Sequence, residues 1–239
     1  AKQRQANSIH EISYRACYKP QLPHFFIDIF TKEGDVIYDP FAGRGTTLVE
    51  AALMGRKVVS NDVNPLSAIL TKPRLTIPSI SEIKIRLDEI NFEVLKSDID
   101  LSMFFDKKTE YEIVSLKNNL ADSEVDNWIR MVSTNRLTGH SAGFFSGYTL
   151  PPNQAASQKS QITINDRLDL VPPYKNTKEI ILKKSKSLLR NINSKLRSDL
   201  RKISSSAVFS SLDSRRTSHI SDNSINLTVT SPPFLNIVR

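Results

Sequence analysis

Short apolar runs separated by polar turns give the first third of the chain a helix–strand–helix–strand–helix rhythm. Residues 24–30 place apolar side chains on one helical face, with Pro23 tolerated near the first turn and Gly34 beyond the end. Asp35-Val36-Ile37-Tyr38 is a β-type run. Residues 48–54 read as helix, 57–61 as a second strand ending at Asp62, and 66–71 as a helix opened by Asn64-Pro65. From Pro73 the pattern becomes helical, at 80–95, 111–120 and 128–132. Residues 149–174, rich in Pro, Asn and Gln, read as loop, and 177–203 as one long helix with an apolar stripe from Ile181 to Ile203. Strands return at 207–211 and 225–230, separated by a turn at 221–224. The chain therefore divides at 1–72, 73–204 and 205–239.

The stretch between the first strand and its helix, residues 39–47, reads DPFAGRGTT. Strand, tight Gly turn and helix present backbone N–H groups and a helix N-terminus to a ligand. At Gly43 and Gly45 a side chain would block close approach of backbone and ligand. Asp62 follows the turn by about 20 residues, the spacing at which a βαβ nucleotide fold places the acid for ribose hydroxyls. Asn64 has two compatible uses, capping the next helix or touching the ligand.

Charge and composition narrow the class. Net charge is +8, which points to a polyanionic partner. A single cysteine, Cys17, rules out a disulfide framework and suits a reducing, cytoplasmic setting. The four histidines are scattered without metal-ligand spacing. No apolar run approaches the roughly 18 residues that span a bilayer, so no membrane partner is expected. The basic residues of 177–203, Lys183 to Lys202, suit a phosphate backbone or simply a solvated face. All seven glycines lie in 34–55 or 139–147, so the Gly-aromatic stretch 135–148 is either a substrate loop or a tight connection between helices.

The last strand runs into Ser231-Pro232-Pro233-Phe234. Two prolines make a rigid segment without N–H donors. Carbonyls and the Ser231 hydroxyl are then left to accept hydrogens from a planar amino group, while Phe234 offers a face for stacking. Val171-Pro172-Pro173-Tyr174 has a similar outline but lacks the polar first residue and a convincing preceding strand.

With DPFAGRGTT (39–47), NDVNPL (61–66), LDSRR (212–216) and TSPPF (230–234) in one chain, the sequence resembles the S-adenosylmethionine-dependent DNA amino-methyltransferases of restriction–modification systems. YRACYKPQLP (14–23) looks like a weaker form of that family's N-terminal cofactor element. The resemblance implies an α/β fold: a Rossmann-like methyltransferase sheet of order 3-2-1-4, incomplete at the C-terminus, with a large helical, DNA-recognising insertion at 73–204. It implies that Asp39, Phe41, Gly43, Gly45, Thr46, Asp62, Asn64, Asp213 and Ser214 meet S-adenosylmethionine, with Asp213 and Ser214 at its adenine end. Ser231, Pro232, Pro233 and Phe234 would hold the target base. No metal is expected. A Ser at the first tetrapeptide position is the family's cytosine-N4 pattern; adenine-N6 stays open, as does a DNA-recognition or cofactor-binding fragment without turnover. Methylation at cytosine carbon 5 needs a nucleophilic Cys, and Cys17 sits in no matching motif. The expected partners are duplex DNA and either a second polypeptide completing the sheet or a cognate restriction enzyme.

Overall fold

A computed structural model describes residues 6–14, 17–147, 149 and 156–233. The described chain forms two units, 1–77 with 190–239, and 78–189. In the first, helix α1 (Gln21–Phe30) leads to strand β1 (Val36–Asp39), helix α2 (Thr46–Leu53), strand β2 (Lys57–Asn61) and helix α3 (Leu66–Thr71). The chain returns through α9 (Ser194–Ser204), β3 (Val208–Ser210) and β4 (Leu227–Thr228). The four strands form one sheet of order β3-β2-β1-β4, and every pairing is parallel.

Parallel strands are apolar on both faces because connections cover both sides. Ile37 and Val58 are fully buried accordingly, as are Leu48, Val49 and Ala51 of α2, which packs on both strands. α2 packs on α1 and on α9. β4 is shorter than the apolar run 225–230 suggests. Its pairing is extended by Asn226 N–H donating to Val36 O (3.0 Å) and Val229 N–H donating to Tyr38 O (3.1 Å).

The segment ahead of α1 is tied down by buried polar groups. A short 3-10 turn, Ser8–His10, is capped by the Asn7 side chain. His10 Nε2 lies 2.7 Å from Glu50 Oε2, and His24 Nδ1 lies 2.8 Å from the other oxygen, Oε1. Arg74 is fully buried. It donates to three carbonyls from three segments: Leu70 (2.9 Å), Ile9 (3.4 Å) and Arg44 in the Gly turn. Burial, aided by the Arg44 charge, pulls the Arg74 guanidinium down to about 9.

The second unit is helical: α4 (Ile80–Glu89), α5 (Lys107–Asn119), α6 (Glu124–Arg136), α7 (Gln158–Leu168) and α8 (Thr177–Leu189). Trp128 is fully buried at its centre, its indole N–H donating to Ser185 Oγ over 2.9 Å. Three expectations are corrected. The helix expected over 80–95 ends at Glu89. The supposed loop 149–174 contains α7, begun by Ser157 accepting from Ser160 N and closed by Asp169 at φ 49°. The single helix expected over 177–203 is two. Asn193 caps a fresh helix by accepting from Leu196 N (2.8 Å), and Asn191 is held to Ser8 N (3.2 Å).

The Gly-aromatic stretch is packed. Phe145 is fully buried, and Gly139 N–H donates to Ser146 Oγ (3.1 Å) and Thr149 Oγ1 (2.8 Å). The Arg136 guanidinium lies 4.2 Å from the centre of the Phe144 ring. Tyr174, at the end of the Pro-Pro lookalike, donates to the buried Glu112 over 2.7 Å.

Candidate active site

The site grows from the C-terminal ends of β1, β2, β3 and β4, where open α/β sheets leave a crevice. Asp39 closes β1 and is 1% exposed. Its Oδ1 accepts from Phe41 N (3.1 Å) and from the Thr230 hydroxyl (2.6 Å); its Oδ2 accepts from Tyr18 OH (3.4 Å). Burial raises the Asp39 carboxyl above the usual range, against the pull of these donors. Burial, then the Asp39 charge, also raises the Tyr18 phenol above its usual range. Tyr18 and Thr47 hydroxyls are hydrogen-bonded, and Thr47 donates on to Val229 O (3.1 Å). Asp39 thus braces the turn and the end of β4 from beneath.

Between β1 and α2 the chain turns through Gly43 (φ 53°) and Gly45 (φ 72°). A Cβ at Gly45 would lie 2.3 Å from Thr71 Oγ1, and one at Gly43 would lie 3.2 Å from the Tyr14 ring. Gly45 is therefore required by packing on α3, whereas Gly43 lies under Tyr14. Thr46 is buried, and its hydroxyl accepts from Arg44 Nε (3.1 Å). The Asp62 carboxylate reaches back to the turn: Oδ2 accepts from Gly43 N (2.7 Å) and Oδ1 from Asn64 N (2.9 Å). Asn64 Oδ1 accepts from Leu66 N (3.0 Å) at the start of α3.

A cleft of ≈ 270 Å³ opens beside these groups, lined by Pro40, Phe41, Asn61, Val63, Asp213, Ser214 and Arg215. It joins Phe41 to Asp213 and Ser214, which are far apart in sequence. Asp213 accepts from Arg215 N (3.0 Å) and Arg215 Nε (3.0 Å), and the guanidinium holds its carboxyl well below the usual range. Pro40, Asn61, Val63 and Arg215 lie within the quoted motifs, but sequence reasoning gave them no role of their own. Asn61 carried one signal, a carboxamide at the very end of the second strand.

Ser231, Pro232 and Pro233 follow Thr230 and are exposed. Phe234 lies outside the described residues. Among the described residues no group of His, Cys, Asp and Glu could hold a metal ion, and no helix is long and apolar enough to cross a membrane. Cys17 is exposed, its thiol 3.7 Å from Tyr14 O.

Comparison with known proteins finds similarity over part of the chain. Residues 1–71 match the family model described as DNA methylase. The type II methyltransferase M.MjaII of Methanocaldococcus jannaschii is 31% identical over 123 residues, 47% of this chain and 23% of that protein. M.MvaI, a type II methyltransferase of Kocuria varians, is 33% identical over 89 residues, 36% of this chain and 20% of its own length. The tRNA (guanine(10)-N2)-dimethyltransferase of M. jannaschii is 39% identical over 49 residues, 20% of this chain and 14% of that one. The chain thus spans less than a quarter of the curated relatives it matches. Over residues 1–71, which hold the Gly turn with β1 and β2, the chain is therefore similar to DNA methylases, and its curated relatives include two type II methyltransferases.

Proposed function

We propose that the chain provides the cofactor-binding and base-holding parts of a site-specific DNA methyltransferase, which moves a methyl group from S-adenosylmethionine to the exocyclic N4 amino group of cytosine in duplex DNA. The observation that carries this reading is the hydrogen bond from Thr230 to Asp39, 2.6 Å long. It ties the residue before Ser231 to the residue that opens the Gly turn, so two motifs some 190 positions apart share one strand end.

The cleft suits one end of the cofactor. Its ≈ 270 Å³ falls just short of the roughly 300–1,000 Å³ of whole-ligand pockets, and its lining combines apolar Phe41 and Val63 with polar Asp213 and Ser214. Phe41 and Val63 would flank a purine, and Asp213 with Ser214 would meet its polar edge. Asp62 would hold ribose hydroxyls, turning from Gly43 N to do so. The turn of Asp39, Gly43, Gly45 and Thr46, with Asn64 beside Asp62, would carry the remainder. When bound, the cofactor supplies a methyl group already activated on a sulfonium.

The chain's own residues position the acceptor. The Ser231 hydroxyl and the carbonyls of 231–233 accept the hydrogens of the amino group, drawing its nitrogen toward tetrahedral geometry. Pro232 and Pro233 present no N–H to compete. Phe234 would stack on the base. Such positioning is the largest contribution open to a site of this kind, and the base must leave the helical stack to reach it. A net charge of +8 favours the nucleic-acid backbone as partner.

Incubation with methyl-labelled cofactor and duplex DNA, followed by nucleoside analysis, tests the reading. N4-methylcytosine is expected. N6-methyladenine would move the specificity to adenine. Cofactor binding without transfer would make the chain a part that needs a second polypeptide. Ser231→Ala should abolish transfer and leave cofactor affinity unchanged; an undiminished rate removes Ser231 from the site.

A further inference from the structure

We propose that Asn61 is a positioning residue: its carboxamide holds residues 212–214 against the end of β2 and so sets the width of the cleft for the nucleoside end of the ligand. The inference rests on the cofactor reading above. Asn61 ends β2 and is 1% exposed. Its Nδ2 donates to Leu212 O (2.8 Å), and its Oδ1 accepts from Leu212 N (3.0 Å) and from the Ser210 hydroxyl (2.8 Å). The backbone carbonyl of Asn61 accepts from Ala42 N over 3.0 Å. One residue therefore engages the Gly turn, the end of β3 and the segment beyond it.

The geometry explains why the residue is an asparagine. The β2–β3 ladder ends at Asn61 paired with Ser210, closed by Asp62 N donating to Ser210 O (3.2 Å). The carboxamide continues the ladder with its own donor and acceptor, as a peptide group would. Its orientation is fixed, because Leu212 N–H must face an oxygen. Asp or Leu, though similar in size, cannot donate to Leu212 O. Leu212 itself is 42% exposed and has no depth of packing to replace the clamp. The next two residues, Asp213 and Ser214, line the cleft together with Phe41.

The test is titration calorimetry of the full chain with S-adenosylhomocysteine, together with hydrogen exchange at the Leu212 amide. Asn61→Ala should weaken binding about tenfold, which is roughly the worth of one lost polar contact, and speed exchange at Leu212 while stoichiometry stays near one. Asn61→Asp, which retains only the accepting half, should do likewise. Ser210→Ala, a milder change that removes one partner of Oδ1, should weaken binding a few-fold. Faster exchange with unchanged affinity overturns the proposal. So does a fall in stoichiometry at constant affinity, which is the mark of lost folded protein. An unmutated chain that fails to bind the probe takes down the cofactor reading and this inference together.

Discussion

The Thr230 hydroxyl donates to Asp39 Oδ1 across 2.6 Å, and the acceptor carboxylate is almost wholly buried. Removing the donor leaves a buried acceptor short of one partner. Thr230→Val should therefore cost about 1–3 kcal/mol in a denaturant titration. It should also lower methyl transfer beyond its effect on stability, since residues 231–233 lose their tie to the turn. Equal loss in both measurements would reduce Thr230 to a stability residue.

Gly45 and Gly34 separate two costs. Both have positive φ, 72° and 90°, but a Cβ at Gly34 meets nothing within 4 Å, whereas one at Gly45 meets Thr71 at 2.3 Å. Gly34→Ala should lose only backbone strain, about 1 kcal/mol. Gly45→Ala should lose that plus overpacking, roughly 2–5 kcal/mol in all. Chemical denaturation of the two variants side by side checks the ordering.

Acid should loosen the hold on the N-terminal segment. Burial keeps the His10 imidazole below its usual 6.5, over the contrary pull of Glu50, with the Arg74 and Arg44 charges acting in the same sense as burial. Above 6.5 the ring is neutral folded or unfolded and its contribution is complete. Below 6.5 the unfolded chain takes up a proton that the folded chain refuses, so stability falls with pH. Burial also tends to raise Glu50, but His10 and His24 together hold it below 4.5, so its contribution is lost at still lower pH. Urea midpoints should drop between pH 7 and pH 5, and His10→Gln should flatten that drop. Parallel curves for the two proteins would exclude His10 as the cause.

Lys195 and Lys202 stand exposed on α9, and both pair with Asp199, at 2.8 and 3.6 Å. Surface pairs of this kind hold their partners weakly. Under the DNA reading, Lys195→Ala with Lys202→Ala should weaken duplex binding. The slope of log affinity against log salt should become shallower by about one to two. An unchanged slope would assign this face to solvent.

The sheet was legible because each of its signals has one cause. Val36-Ile37-Tyr38 and Val58-Val59 are short, β-branched or aromatic, and bounded by turn residues, and Gly43 with Gly45 leaves few other folds for the link between them. The order β3-β2-β1-β4 agrees with the order expected from the motifs. The helical part was less legible. α7 buries only Gln161, so it has no apolar stripe to find; its signal is the cap at Ser157. The break between α8 and α9 was hidden because Leu188, Leu189, Leu196 and Leu200 keep helical spacing across it. What separates the helices is a tertiary tie, Asn191 to Ser8, together with the cap at Asn193. Asn61 was missed as part of the cleft because its partners, Ser210 and Leu212, lie about 150 positions away.

β1, one of the two interior strands of the sheet, has one neighbour made early and one made late. β2 follows it after a single helix, but Asn226 Oδ1 reaches Val36 N from 190 residues downstream. A growing polypeptide would complete β1 and β2 while the other flank of β1 still had no mate, and would cover that flank only when nearly all of these residues had left the ribosome. The contacts that unite residues 78–189 are internal to that stretch, so it can settle first. Synthesis rate and chaperone supply during that interval would then govern the yield of folded protein.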